Sequence, residues 1–238
     1  MLPVGSVLVD FDGTACLHDV AEHLLVAFGD PSWPEYDEAV DRGEMGLREA
    51  IVAQAGLVRL AAPELLAYAL EHCPMDPTFG PFVGWCRAQG VPVTLVSDGF
   101  AFYIEPMLRE AGLERITVIA NEQQWRDGRP DGLRFMNAHP ACVGCGTCKM
   151  QAVLRYRERG PVAFVGEGQT DRYGALYADV TFAKQALVAF CRADGVPFVP
   201  WDDFDDVRRE LEATATLPGP VAPLECPGWT TPEPSPPG

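Results

Sequence analysis

The chain has 238 residues, 47% hydrophobic and 22% charged, with 23 Gly and 22 Pro spread along it, a composition that excludes a disordered or fibrous protein and fits one core plus an insertion. Lys and Arg number 18 against 34 Asp and Glu, a net charge of −16 without any basic cluster, which excludes binding to a nucleic-acid backbone. No apolar run approaches the roughly 18 residues that a membrane span needs.

The N-terminus, MLPVGSVLVDFDG, has no basic segment and meets acids at Asp10 and Asp12, so it does not read as a signal peptide and the expected location is the cytoplasm. Eight Cys are too sparse for a disulfide scaffold and are expected as thiols. SVLVDF, Ser6 to Phe11, is a short apolar run ending at an acid and then Gly13, the pattern of a buried strand opening into a loop. From His18 to about His72 the pattern is helical: VAEHLLVAF, LREAIVAQAGLV and PELLAYALEH, the last with Pro63 suited to a first turn. Three or four helices are expected there, and no strand.

After Pro77 strands and helices alternate. FVGWCRAQG reads as a helix ending at Gly90, VPVTLVSDG as a strand, AFYIEPMLREAG as a helix and ITVIAN as a strand. The alternation continues through helix CKMQAVLRYRERG, strand VAFVGEG, helix TDRYGALYAD, strand VTFA, helix QALVAFCRADG, strand PFVP and helix DDFDDVRRELEA. Such order predicts an α/β fold with a parallel sheet covered on both faces. Asp-Gly pairs at Asp127 and Asp131 predict a hairpin excursion between Ala120 and Met136. Residues 214–238 hold eight Pro and no period, so an extended tail without chemistry is expected.

In an open α/β sheet, ligands bind beyond the carboxyl ends of the strands. Those ends carry Asp10, Asp12, Gly13 and Thr14; Ser97 and Asp98, followed by Gly99; and Glu167 with Asp171; Lys149 opens a helix. Together they suit phosphoryl transfer. Asp10 would act as nucleophile, because a carboxylate can form an acyl-phosphate that divides a hard hydrolysis into two steps. Asp12 would donate and later accept a proton. Two carboxylates at one strand end call for a cation between them, and Mg²⁺, which keeps several waters, could be held by Asp10, a backbone carbonyl and Glu167 or Asp171. Lys149, Ser97 and N–H groups near Gly13 would hold the phosphate oxygens.

DFDGT at Asp10–Thr14, Ser97 closing an apolar strand, Lys149 at a helix start and GEGQTD at Gly166–Asp171 resemble the four ordered motifs of the haloacid dehalogenase superfamily. The helical segment after the first motif is similar to the small C1-type cap of its phosphoserine-phosphatase-like branch. Within that branch, CVGCGTCK before Lys149 and DVTFAK followed by CRADGVPFVPWDDF resemble the family of methionine-salvage phosphatases acting on 2-hydroxy-3-keto-5-methylthiopentenyl-1-phosphate. The resemblance implies a Rossmann-like three-layer core, residues 1–15 and 76–213, with a cap at 16–75. It implies Mg²⁺-dependent hydrolysis of a small phosphorylated metabolite, with Asp10, Asp12, Glu167 and Asp171 at the metal and Gly13, Thr14, Ser97, Asp98, Gly99 and Lys149 around the phosphate. The second Asp of the first motif, Asp12, favours a phosphatase or phosphomutase over the dehalogenases and phosphonate-cleaving members. A silent metabolite-binding member is the remaining alternative.

Two departures stand out. The fourth motif usually begins Gly-Asp, whereas this chain has Glu167, one methylene longer. Phosphoserine phosphatases read the amino acid with an acid and an Arg from the cap; Asp19 fits the acid, but AIVAQAGLV stands where the Arg is expected, leaving Arg48 as a substitute. His18 is a further candidate substrate contact, while His23 and His72 read as surface or packing residues. Trp33, Tyr36, Met45, Phe100 and Phe102 suit either a cap lining or core. Cys142, Cys145 and Cys148, with His139 before them, form a metal-like string, but one short loop rarely supplies all four ligands of a zinc site, and reduced thiols are the simpler reading.

Overall fold

The computed structural model describes residues 2–142, 144–221 and 226; most of the expected Pro-rich tail therefore lies outside the described residues. β1 (Ser6–Val9) is buried along its whole length. It pairs in parallel with β2 (Val93–Phe100) on one side and β5 (Val162–Gly166) on the other. β3 (Thr117–Arg126) extends the sheet beyond β2, and β6 (Val180–Ala183) and β7 (Phe198–Pro200) extend it beyond β5, all parallel. β4 (Arg129–Arg134) closes one edge antiparallel to β3, giving the order β4-β3-β2-β1-β5-β6-β7. The hairpin turn falls at Asp127–Gly128, both with positive φ (51° and 77°), the conformation a two-residue turn needs to match strand twist. Asp131–Gly132 lies within β4, opposite an irregularity in register between Gln124 and Trp125.

Side chains alternate across the sheet, as strand geometry requires. Val7 and Val9 pack on one face with Phe79, Phe82, Ile104 and Phe204, contributed by α5 (Phe79–Ala88), α6 (Ala101–Glu110) and α10 (Phe204–Ala213). Leu8 packs on the other with Val153, Leu176 and Leu187 from α7 (Lys149–Arg157), α8 (Arg172–Tyr177) and α9 (Gln185–Asp194). The result is a three-layer, Rossmann-like α/β fold. Thr170 and Asp171, expected in the helix of α8, instead form a short 3-10 turn before it.

The insertion contains four helices: α1 (Val20–Phe28), α2 (Pro34–Asp41), α3 (Leu47–Ala55) and α4 (Ala62–His72). α2 carries no fully buried residue and presents only a short half-buried stripe of Tyr36, Ala39 and Val40. Its two connections to the sheet run side by side: Cys16 bridges Met75, Leu17 N–H donates to Pro74 O at 3.0 Å, and Asp76 N–H donates to Ala15 O at 2.9 Å.

Chain order moves outward from β1 through β2, β3 and β4, then returns by way of α7 to β5 on the opposite side. The crevice beyond the carboxyl ends of β1 and β5 is therefore the topological switch point, the place where such sheets bind ligands.

Candidate active site

At the end of β1 the chain makes one wide turn, with Ala15 N–H donating to Asp10 O and Cys16 N–H to Phe11 O. Gly13 takes a left-handed conformation (φ 69°) inside it. This turn holds Asp10 and Asp12 at the same strand end. Asp10 is 5% exposed. Its Oδ1 accepts from Lys149 Nζ at 2.7 Å, and the same ammonium donates to Asp171 Oδ1 at 2.7 Å and Thr170 Oγ1 at 3.0 Å. Burial and the charge of Asp171 push the Asp10 carboxyl well up, against the pull of Lys149. The two carboxylates outweigh the cost of desolvating Lys149, whose pKa is raised.

Asp12 is held differently. Its Oδ1 accepts from the backbone N–H of Val20, the first residue of α1, at 2.9 Å. Its Oδ2 accepts from Ser97 Oγ at 3.2 Å and from the buried Tyr103 hydroxyl at 3.3 Å. Burial and the nearby Asp19 push the carboxyl to about 8, so a proton rests there at neutral pH. Ser97 Oγ in turn accepts from Gly99 N–H at 2.8 Å. A Cβ on Gly99 would run into the Tyr103 hydroxyl and stand 2.5 Å from Asp12 Oδ2, so only glycine leaves room for this contact. Asp98 Oδ1 accepts from Thr147 N–H at 2.7 Å, its main-chain oxygen accepts from Asn121 Nδ2 at 2.5 Å, and its Oδ2 is buried without a partner among the described residues.

Glu167 follows β5 and reaches the same crevice; burial and Asp171 raise its pKa. Asp171, fully buried, spends both oxygens within the protein: Oδ1 on Lys149, Oδ2 on the N–H groups of Glu167 and Gly168 at 2.9 and 3.0 Å. It fixes the loop that carries Glu167. Among the described residues no three His, Cys, Asp or Glu side chains converge to hold a metal ion by themselves; this applies also to Cys142, Cys145 and Cys148. Asp10 and Glu167, each carboxyl pushed up by burial, nevertheless offer an under-neutralised pair of oxygen donors beside the main chain of Asp12. That fits Mg²⁺, which takes one or two carboxylates and fills its shell with carbonyls and water.

These residues line one cavity of about 330 Å³ between sheet and insertion, with Asp10, Asp12, Ser97, Asp98, Gly99, Lys149 and Glu167 at one end. Trp33, Leu47, Ile51, Phe102 and Trp125 form apolar walls, and Asp19, Glu22, Asp37 and Gln54 add polar groups. Among the described residues Lys149 is the one cation in the lining. Three expected contacts fall elsewhere. Thr14 is fully buried, its hydroxyl unpartnered, because the turn aims it into the protein. His18 is exposed and stacks on His23, ring centroids 4.6 Å apart. Arg48 turns away from the cavity to bond the carbonyls of Cys142 and Cys145. Conversely Tyr103 and Asn121 belong to the site although no sequence signal marked them, as does Thr170, which lies within the GEGQTD motif without having been singled out.

The family model for haloacid dehalogenase-like hydrolases matches residues 7–175, from β1 through α8 and thus across every group described above. The chain belongs to the haloacid dehalogenase-like hydrolase family. Among curated relatives, a 2-hydroxy-3-keto-5-methylthiopentenyl-1-phosphate phosphatase of Bacillus velezensis is 26% identical over 213 residues, covering 87% of this chain and 89% of the relative. A polyol phosphate phosphatase of Saccharomyces cerevisiae is 26% identical over 221 residues, covering 87% and 92%. A substrate-bound phosphoserine phosphatase structure aligns with TM-score 0.66 at 14% identity over 88% of this chain and 97% of that one, a likeness of fold. Membership of the haloacid dehalogenase-like hydrolases makes the chain a hydrolase, and no described helix is long and apolar enough to cross a membrane.

Proposed function

We propose that the chain is a Mg²⁺-dependent phosphomonoesterase that hydrolyses a small organic phosphate through a phospho-Asp10 intermediate. The observation that carries this is the pairing of two differently held carboxyls at one strand end: Asp10 ion-paired with Lys149, and Asp12 bonded by the Val20 N–H and the hydroxyls of Ser97 and Tyr103. Asp10 attacks phosphorus while the ester P–O bond breaks, and Asp12 gives its proton to the leaving alkoxide. Water then attacks the acyl-phosphate as Asp12 takes a proton back, freeing Asp10 and inorganic phosphate. Ser97 Oγ, the N–H groups beside it and Lys149 bind the non-bridging oxygens, where charge accumulates. Mg²⁺, when bound, supplies neutralising charge at these oxygens; Asp10, the Asp12 carbonyl and Glu167 would hold it, with Asp171 orienting Glu167 and Lys149.

Residues 16–75 serve as the cap in this reading, and residues 1–15 and 76–213 as the catalytic core. Closing the cavity excludes bulk water and positions the alcohol half of the ester. That half is uncharged and largely apolar: the walls are aromatic and aliphatic, the polar groups beyond the phosphate end include three carboxylates, and the described residues offer no second cation to meet a carboxylate. The substrate in the name of the Bacillus velezensis relative, 2-hydroxy-3-keto-5-methylthiopentenyl-1-phosphate, fits such a pocket better than phosphoserine does. The test is phosphate release from a panel of uncharged and carboxylated phosphomonoesters, with Mg²⁺ or chelator. Metal-dependent release by wild type that Asp10→Asn abolishes is expected; release unaffected by that substitution rejects the mechanism.

A further inference from the structure

Arg48 lies in the first turn of α3, on the insertion, yet the hydrogen bonds donated by its backbone N–H and its guanidinium cross to the core. Its backbone N–H, one of the donors a helix start leaves unpaired, bonds Gly144 O at 3.0 Å. Its Nε donates to Cys145 O at 2.9 Å, and one terminal nitrogen donates to Cys142 O at 2.7 Å and Cys145 O at 2.8 Å. The guanidinium also lies 5.5 Å from the Phe135 ring centroid.

The other side of the same segment faces the phosphate end. The Cys145 carbonyl gripped by Arg48 and the N–H of Gly146 belong to one peptide plane, and a trans peptide points the two in opposite directions. One residue on, the N–H of Thr147 donates to Asp98 Oδ1 at 2.7 Å. A Cβ on Gly146 would stand 3.0 Å from Asp98 Oδ1 and 2.6 Å from Asn121 Nδ2, so the segment is seated hard against the end of β2. Two residues after Thr147 the chain enters α7 at Lys149, whose ammonium feels Asp98 as well as Asp10 and Asp171. A rigid peptide unit thus links a cap side chain to both the strand end bearing Ser97 and the helix start bearing Lys149.

We propose that Arg48 is a positioning residue: by clamping segment Gly144–Cys148 from the cap, it sets Asp98 and Lys149 in place for phosphoryl transfer. The role in turnover rests on the phosphatase reading above; the clamp itself does not. The planar guanidinium holds the two carbonyls with Nε and one terminal nitrogen in a fixed geometry, which a lysine ammonium on its flexible stem reproduces only in part.

The experiment compares wild type, Arg48→Ala and Arg48→Lys by amide hydrogen exchange and by steady-state kinetics on one uncharged phosphomonoester. Expected in Arg48→Ala is exchange about tenfold faster or more across residues 144–149, with β1 and β5 unchanged. A fall in kcat of about tenfold with KM moving less than about threefold should accompany it. Added methylguanidine should recover part of kcat, and Arg48→Lys should fall between wild type and alanine. Unchanged exchange at 144–149, faster exchange everywhere, or an effect confined to KM would each overturn the proposal. Should Arg48→Ala fail to fold, Arg48→Lys and its exchange pattern decide. Wild type that releases no phosphate refutes the parent reading, and the exchange data then still judge the clamp.

Discussion

Gly13 and Glu167 meet where β1 and β5 end: a Cβ on Gly13 would stand 2.9 Å from both Cδ and Oε1 of Glu167. The longer acid in place of the usual Asp therefore reaches the crevice by passing over a residue with no side chain. Gly13→Ala should cost roughly 1–2 kcal/mol for its left-handed φ alone and displace Glu167, weakening Mg²⁺ binding by about tenfold. Calorimetric titration of both single variants and of Gly13→Ala/Glu167→Ala checks this. If crowding of Glu167 is the cause, the alanine at 13 weakens affinity much less once Glu167 is gone; an equal loss in both backgrounds sinks the explanation.

Asp12 makes the metal-free protein sensitive to pH. Its carboxyl titrates near 3.8 when unperturbed and is pushed to about 8 by burial and Asp19, so the folded state keeps a proton that the unfolded state releases between those values. Stability from this group is complete below about pH 4 and is lost as pH rises through about 8. Urea unfolding in chelator should show a loss of at least ~2 kcal/mol between pH 5 and 8, with a shallower slope in Asp12→Asn. A slope identical in the two proteins refutes the raised carboxyl. In turnover, Asp12→Asn should damage an alkyl phosphate far more than p-nitrophenyl phosphate, whose leaving group needs no proton.

Lys149 is the counter-charge of two buried carboxylates. Lys149→Met would leave Asp10 and Asp171 unpaired, and breaking a buried ion pair from one side typically costs about 3–5 kcal/mol. Thermal melts should show the deficit shrinking from pH 8 to pH 5, as protonation removes the stranded charge. Turnover should drop by about 10²-fold or more, since a fixed cation at the phosphate oxygens is lost. A variant as stable as wild type at pH 8 contradicts this account.

The order of strands and the groups at their ends were legible because buried parallel strands are short apolar runs, and their ends must stop at small or polar residues. Asp10, Asp12, Ser97, Asp98, Lys149 and Glu167 all fell at such ends or at a helix start. Tyr103 was not legible: in AFYIEPMLREAG it reads as one more core aromatic on an amphipathic face, and only the glycine at 99 lets its hydroxyl touch Asp12. Arg48 was misplaced because an arginine near the expected position says nothing of which carbonyls lie within reach across 94 residues of chain. Thr14 sat in the motif but faces inward, a matter of turn geometry that the motif does not encode.

Charge in the cavity sets the last expectation. Beyond Lys149, which already answers Asp10 and Asp171, the described lining offers Asp19, Glu22 and Asp37 and no cation, so a carboxylate on the alcohol half would be brought against like charge with no counter-charge to offset it. Phosphoglycolate and ethyl phosphate differ by that one group. Their kcat/KM values should differ by at least about tenfold in favour of ethyl phosphate, equivalent to roughly 1.4 kcal/mol in the transition state. Ile51→Arg, one turn along α3 from Arg48 and facing the cavity, places a cation among these acids and should narrow or invert the ratio. Equal rates on the two esters in the wild-type protein would mean that the alcohol half of the substrate lies outside this cavity, and the acids and aromatic walls would then have to be read as packing.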